Sequence, residues 1–294
     1  MTGPVGLSLS LGPSPVGGSV ELPLDSDAAA YITAVESADE SAMATATKIA
    51  INAFVEGCKL DASPITNVTN WQAMKAVCFL AGPKTLAGAL TPLKGTAPTG
   101  GNLSVLDHNQ NLGIKGNGSN KRIFTGRDNT DEDRNNQSLG VWVTETHGWT
   151  VTGATSVGAY MGPGNNRNGS YIYSAHPDSE SPNDFFASKR NIGSSIDFII
   201  AIPTKSNIGF KGVSRHTSTH LSALSVGDLE TKAVSSQNPS SDEITVLSAG
   251  SGLFTNARVS FYWVGEAVDL VRMRSRLNDY FAAIETVDHL WTGG

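Results

Sequence analysis

The chain has little cysteine, little charge and no cluster of basic residues. Cys58 and Cys78 are the only cysteines among 294 residues, too few and too far apart for a zinc knuckle or a disulfide framework. Both lie in apolar contexts, so we expect inert buried thiols. Charged residues make up 16% of the chain, and the formal net charge is −6. No basic surface is available to neutralise phosphates, so we expect no nucleic-acid partner.

Long apolar runs are also missing. No stretch approaches the roughly 18–20 apolar residues that a membrane-spanning helix needs. Met1 is followed by Thr-Gly-Pro rather than by the basic and apolar regions of a secretory signal. The sequence therefore predicts a soluble protein with no membrane insertion and no secretory leader.

What the chain does contain favours β structure in its C-terminal two-thirds. Glycine reaches 31 residues and proline 13, and both serve tight turns. From residue 103 to 294, short β-branched or aromatic runs alternate with turn residues, which predicts an antiparallel sandwich. One amphipathic helix is predicted to follow, at about 266–285. The predicted strands are 138–144, 170–174, 196–201, 207–210, 219–224, 243–247 and 257–264.

A small α-helical module is predicted over residues 25–102. Apolar residues recur at three- and four-residue steps over about 28–55, which indicates one long amphipathic helix. The apolar run Trp71–Ala81 predicts a second helix, because the glycine and proline that follow it terminate helices. A short third turn is expected at Leu86–Leu90.

Residues 1–24 mix glycine, proline and serine with the alternating leucines Leu7, Leu9 and Leu11. Such a segment buries little surface by itself. The alternation is typical of a strand that adds to the sheet of another subunit. Two interpretations stay open, a disordered leader and an extended attachment arm.

Four motifs and their order carry a resemblance to a known family. They are Leu86–Leu93, Leu112–Lys121, Leu139–Val143 and Phe261–Glu266, the last followed by a terminal helix. This order resembles bacteriophage virion proteins, tail fibres among them, with a concanavalin A-like (LamG-type) jelly roll. The resemblance covers roughly residues 25–285. It implies an all-β jelly-roll sandwich preceded by the helical module, and a place on the exterior of a virion, at the tail or the head surface.

Carboxylates are the residues from which an enzymatic site would be built here, because jelly rolls of this type include glycoside hydrolases. A retaining hydrolase needs two carboxyl groups about 5–5.5 Å apart. Glu145 stands alone, Asp242 and Glu243 point to opposite faces of an extended chain, and Glu266 precedes a helix. No nucleophile elbow or phosphate-binding loop is present in the required context. We therefore expect no enzymatic activity, no catalytic residue and no cofactor.

The densest acidic stretch is a weak candidate for calcium. Asp128, Asp131 and Asp133 offer oxygen ligands of the kind that calcium prefers. Their spacing does not match an EF-hand loop, and a solvated turn-rich loop explains the composition as well. No metal site is otherwise expected.

Glycan or receptor contact is the remaining binding hypothesis. Sugar-binding surfaces combine flat rings with nearby amide and carboxylate groups. The candidate contact residues are Trp149, Tyr160, Asn165, Asn166, Arg167, Asn168 and Tyr171.

The sequence thus predicts a non-enzymatic virion protein, a tail fibre or host-recognition component. The alternatives are a capsid-decorating or head-fibre protein and a polysaccharide-degrading virion enzyme. The expected partners are other virion proteins, bound through residues 1–24, a host-surface glycan, and further copies of the chain in a homo-oligomer, with a trimer favoured.

Overall fold

A computed structural model describes residues 23–146, 158–163, 171–173, 185–187, 199–201, 208–225, 228–236, 238–249 and 252–288. The helices are α1 (Ser26–Asp39), α2 (Thr45–Leu60), α3 (Asn70–Ala73), α4 (Leu86–Ala89) and α5 (Leu270–Asp288). The strands are β1 (Met74–Phe79), β2 (Thr99–Gly101), β3 (His108–Asn109), β4 (Gly113–Lys115), β5 (Arg122–Asp128), β6 (Gln137–Glu145), β7 (Ala159–Pro163), β8 (Ile172–Tyr173), β9 (Phe185–Ala187), β10 (Ile199–Ala201), β11 (Gly209–Arg215), β12 (His220–Ser225), β13 (Asp228–Ala233), β14 (Glu243–Val246), β15 (Ser248–Ala249), β16 (Leu253–Phe254) and β17 (Arg258–Gly265).

Two antiparallel sheets dominate the described part of the chain. The eight-stranded sheet has the order β13-β12-β11-β6-β17-β4-β3, with β1 also paired to β17, and the five-stranded sheet has the order β2-β5-β14-β7-β8. Apolar residues of both sheets share one core, in which Val141 and Val259 join Ile123, Met161 and Val246. This arrangement is consistent with a β-sandwich, in which two sheets bury alternate residues against each other.

Helices cover the other face of the eight-stranded sheet. In β17, Tyr262 belongs to the core between the sheets, whereas Phe261 and Trp263 belong to a second core shared with α1, α2 and α5. The alternation follows from the two-residue period of a strand. Aromatic rings dominate this second core: Phe79 lies 5.1 Å from Phe54 and 4.1 Å from Tyr280, centroid to centroid.

The region predicted to be helical differs from the prediction in two places. Residues 74–79 form β1, not a helix, and β1 is paired with β17 inside the main sheet. Val77 and Phe79 face the helices, while Ala76 and Cys78 face the other sheet. A strand buried on both faces has no polar side, so its sequence is a continuous apolar run that periodicity does not distinguish from a buried helix.

The long helix predicted at 28–55 is two helices. Glu40 ends α1 in the left-handed conformation, at φ 51°, and the Glu36 carboxylate accepts a hydrogen bond from the Met43 backbone at 2.8 Å. These contacts turn the chain before α2 begins at Thr45.

Other predictions are confirmed. Each predicted strand overlaps an observed one, α4 lies in the predicted third turn, and the C-terminal helix is α5. The jelly-roll topology and the division into a helical module and a sandwich stay predictions. No helix in the described ranges combines the length and apolar character that crossing a bilayer requires.

Candidate functional site

Two of the predicted glycan-contact residues lie in the interior. Tyr160 on β7 is 0% exposed and Tyr171, just before β8, is 1% exposed. Tyr160 packs in the core between the sheets, and Tyr171 packs with Ala159 and Ala249. A ring must be exposed to stack on a sugar, so the prediction is corrected for these two residues. Trp149, Asn165, Asn166, Arg167 and Asn168 lie outside the described residues, and their role stays a prediction.

The side chains of the acidic stretch after β5 are engaged in local contacts. One Asp131 oxygen accepts a hydrogen bond from the Asp128 backbone at 2.8 Å and lies 3.3 Å from Nε of Arg127. Asp133 accepts a hydrogen bond from the Asn135 backbone at 2.7 Å, and the buried Glu132 pairs with Arg127. Across the described ranges, no group of three or more histidine, cysteine or acidic side chains is arranged to hold a metal. These contacts favour the turn-rich loop over the calcium site.

Carboxylates with shifted pKa values are held as anions. Hydrogen bonds from lysine are the main reason that the pKa values of Asp25 and Glu36 are lowered. Burial alone would raise the pKa values of Asp107 and Glu145, but hydrogen bonds outweigh it, from Lys121 and Ser104 on Asp107 and from Lys115 and Arg258 on Glu145. A general acid needs the opposite shift, so none of these four carboxyls has that character.

The loop after α2 builds an open groove of about 520 Å³, lined about equally by polar and apolar groups. We call it the 60–69 groove. Its apolar lining consists of Leu60, Ala62, Pro64, Ile65 and Val68. Leu60 is 83% exposed. The volume lies within the roughly 300–1,000 Å³ of ligand-binding clefts.

The groove is held by contacts to the rest of the fold. Asp61, at the end of α2, accepts hydrogen bonds at 2.9 and 3.0 Å from the Arg276 guanidinium on α5. Ser63 donates a hydrogen bond to the Ala267 carbonyl at 2.8 Å, and its oxygen accepts one from the Ile65 backbone. Bidentate pairs and satisfied loop backbones fix geometry, so the groove is a formed feature of the fold.

A smaller pocket of about 140 Å³ shares Pro64 with the groove. Leu229 on β13 and Val271 on α5 line it and are 53% and 43% exposed. Leu60 lines only the larger groove, and Pro64 is the residue that the two share. Exposed apolar side chains that gather in one place mark interaction sites more often than isolated ones do.

Reasoning from the sequence missed this surface. The available signal was an apolar pair, Pro64-Ile65, inside a segment otherwise composed as a turn. That signal does not show whether the side chains are exposed, because exposure depends on contacts with residues 267 and 276, about two hundred positions away along the chain.

Comparison with known proteins identifies no family. No family model matches the chain, and no curated protein matches it. Among solved structures, it is similar to Trypanosoma rangeli sialidase in complex with 2,3-difluorosialic acid, with a TM-score of 0.42 and 10% identity over 77% of this chain and 37% of that one. It is also similar to domain 4 of a GH43 extracellular arabinanase from Geobacillus stearothermophilus, with a TM-score of 0.41 and 12% identity over 69% of this chain and 98% of that one.

The expectation that the chain has no enzymatic activity is corrected by these matches, because the solved structures found come from a sialidase and an arabinanase. The chain spans little more than a third of the sialidase. At this identity and TM-score, the similarity transfers neither a reaction nor a ligand to this protein.

Proposed function

We propose that this chain is an exterior component of a bacteriophage particle that acts by attachment, in the manner of a tail fibre or host-recognition protein. The order of the four sequence motifs supports the phage context. The observation that carries the attachment role is the 60–69 groove, an open surface on a braced loop at which Leu60 is exposed beside polar groups.

The physical argument starts from the cost of exposing apolar side chains. Burial of apolar surface contributes roughly 25 cal/mol per Å², so a side chain as exposed as Leu60 forgoes that gain unless a partner covers it. The Asp61–Arg276 pair fixes the start of the loop against α5. A preorganised cleft of this kind, with apolar and polar groups side by side, fits a segment of a partner protein that presents both.

The test is the location of the protein. Antibodies against the recombinant chain are applied to particles purified from a lysate of the culture that encodes it, and gold labelling is viewed by electron microscopy. We expect label on intact particles, and its position separates a tail fibre from a capsid-decorating or head-fibre protein. Protein confined to the soluble fraction, with unlabelled particles, would overturn the proposal.

A second assay addresses what the protein attaches to. The purified protein is applied to a glycan array and, in parallel, incubated with host-surface polysaccharide while reducing ends are measured. Glycan binding without release supports host recognition by adhesion. Release of reducing sugar would replace attachment with the second alternative, a polysaccharide-degrading virion enzyme.

A further inference from the structure

The strand β13 lies at one edge of the eight-stranded sheet. Among the residues that the structure describes, it is paired with β12 and with no other strand. An edge strand presents backbone N–H and C=O groups with which another strand can pair, and proteins commonly blunt such an edge with charged side chains. Because β13 carries Glu230 and Lys232 two residues apart, these charges decide which strand can pair with it.

Glu230 and Lys232 lie on the same face of β13. Glu230 is opposite Ala223 of β12 and Lys232 is opposite Leu221, and both of these β12 residues belong to the core between the sheets. At the edge of the sheet, the two charged side chains lie 3.2 Å apart and are 40% and 42% exposed. They are therefore within reach of a strand that pairs with β13.

We propose that β13 of one copy of this chain pairs antiparallel with β13 of a second copy, which joins their two large sheets into one. A two-fold axis normal to the sheet at Thr231 places Glu230 of each copy opposite Lys232 of the other, and Leu229 opposite Ala233. Both charged pairs are then attractive, and Leu229, which is 53% exposed, gains an apolar neighbour.

The charges favour this register over its neighbours. Moving the axis by one residue centres it on Glu230 or on Lys232, and the central residue then faces its own copy. Like charges directly opposite each other are destabilising. An axis between two residues is excluded because it would pair side chains from opposite faces of the sheet. The charges that blunt this edge against other strands therefore fit it to a second copy, by repulsion as well as by attraction.

The experiment measures self-association of the full-length chain by sedimentation velocity over a concentration series. Glu230→Lys and Lys232→Glu each make both cross-strand pairs repulsive, so we expect each to weaken dimerisation by about tenfold or more. The double variant, Glu230→Lys with Lys232→Glu, restores both pairs and is expected to dimerise like the wild type. Lys84→Glu is the control for net charge, because Lys84 is exposed in the turn before α4.

Mixing the two single variants separates pairing between copies from the ion pair within one copy. Neither variant can form the Glu230–Lys232 pair in its own chain, but the edge with two lysines matches the edge with two glutamates. We expect a heterodimer at concentrations at which each variant alone is monomeric. Unchanged circular dichroism and melting temperature show that the variants are folded.

Cysteine cross-linking tests the register. In the proposed pair Thr231 faces its own copy, and the Cα atoms of facing residues lie about 4.5–5.5 Å apart, a separation that a disulfide bridges. Thr231→Cys is therefore expected to give a covalent dimer on oxidation. Ala233→Cys is the control, because four residues, or roughly 13 Å, separate it from its own copy. The native Cys58 and Cys78 are buried.

Three results would overturn the inference: a wild type that stays monomeric throughout the concentration series, no heterodimer on mixing, or equal cross-linking of the Thr231 and Ala233 variants. The inference goes beyond the proposed function and does not depend on it. A monomeric protein on gold-labelled particles would reject the strand pairing alone, whereas a dimer absent from the particles would reject the proposed function alone.

Discussion

Gly140 on β6 lies against the indole of Trp263, a fully buried ring on the neighbouring strand β17. A Cβ atom at position 140 would come within 1.9 Å of the ring and 2.7 Å of the Lys211 carbonyl. Neither neighbour has space to move, since the ring is packed among the helices and the carbonyl belongs to a paired strand. We predict that Gly140→Ala lowers the free energy of unfolding by about 3 kcal/mol or more, measured by urea denaturation.

Gly252 is the control for this substitution. A Cβ atom there would meet nothing within 4 Å, so Gly252→Ala is expected to change stability by no more than about 0.5 kcal/mol. Equal effects at the two positions would show that the loss comes from glycine's backbone freedom and not from the indole contact.

The ion pairs of Glu145, at the end of β6, make the stability of the protein depend on pH. Its carboxylate lies 2.7 Å from Nε of Arg258 and also pairs with Lys115. These cations hold the pKa of Glu145 below its ordinary value of 4.5, against the opposing effect of burial. A carboxyl whose pKa is lower in the folded state stabilises the fold above its unfolded pKa, and this contribution is lost as pH falls through the folded value.

We therefore predict that the stability difference between wild type and Glu145→Gln is fully present at pH 6 and shrinks as the pH falls from 4.5 towards 3. Chemical denaturation across this range measures it. Glu56→Gln on the exposed face of α2 is the control. If this stability difference stayed constant with pH, Glu145 would contribute through packing and not through its charge.

At the scale of whole elements, α5 is docked by a buried hydroxyl. Tyr280 donates a hydrogen bond to the Ala81 carbonyl at 2.9 Å, just beyond β1, and its ring stacks on Phe79. We predict that Tyr280→Phe costs about 1–2 kcal/mol, because a buried carbonyl loses its partner. The measurement is again urea denaturation.

Tyr31 on α1 provides a closely matched control for Tyr280. It lies in the same core and is 3% exposed, but its buried hydroxyl has no hydrogen-bond partner among the residues that the structure describes. We expect Tyr31→Phe to be neutral or stabilising, since burying an unpaired hydroxyl costs free energy. If both variants lost the same stability, the Ala81 hydrogen bond would not be what secures α5.

The elements also show how far the sequence predicts the structure. The strands of the sandwich and α5 are visible in it because each has a polar side or turn residues at its ends. The strand β1 is hidden because both of its faces are buried. The break between α1 and α2 is hidden as well, since the Glu36 carboxylate bonded to the Met43 backbone is a contact that composition does not indicate.

The candidate site was less predictable than the fold. Tyr160 is buried because every residue of β7 is buried, and this results from contacts between β7 and other elements, such as its pairing with β14. The 60–69 groove exists because residues of α2 and its loop meet residues just before and within α5. Contacts this distant along the chain leave no local pattern in the sequence.

At the scale of the whole molecule, the eight-stranded sheet joins the helical core to the core between the two sheets. Its strands β1 and β17 contribute alternate residues to both cores: Phe79 and Phe261 to the helical one, Cys78 and Tyr262 to the one between the sheets. Loss of either core therefore exposes one face of the same two strands. This coupling is the physical basis of cooperative unfolding.

We therefore predict a single thermal transition for the whole chain. Its midpoint should be the same by far-UV circular dichroism, which reports helix and strand, and by tryptophan fluorescence, which reports all five tryptophans, the buried Trp263 among them. Phe54→Ala, in the helical core, is expected to lower both midpoints together, because removing a buried ring costs about 3–5 kcal/mol. Val246→Ala, in the core between the sheets, should also shift both midpoints together, by a smaller amount because fewer atoms are lost. Midpoints that separate in the Phe54 variant alone would show that the helices unfold independently and that the strands shared by the two cores do not couple them.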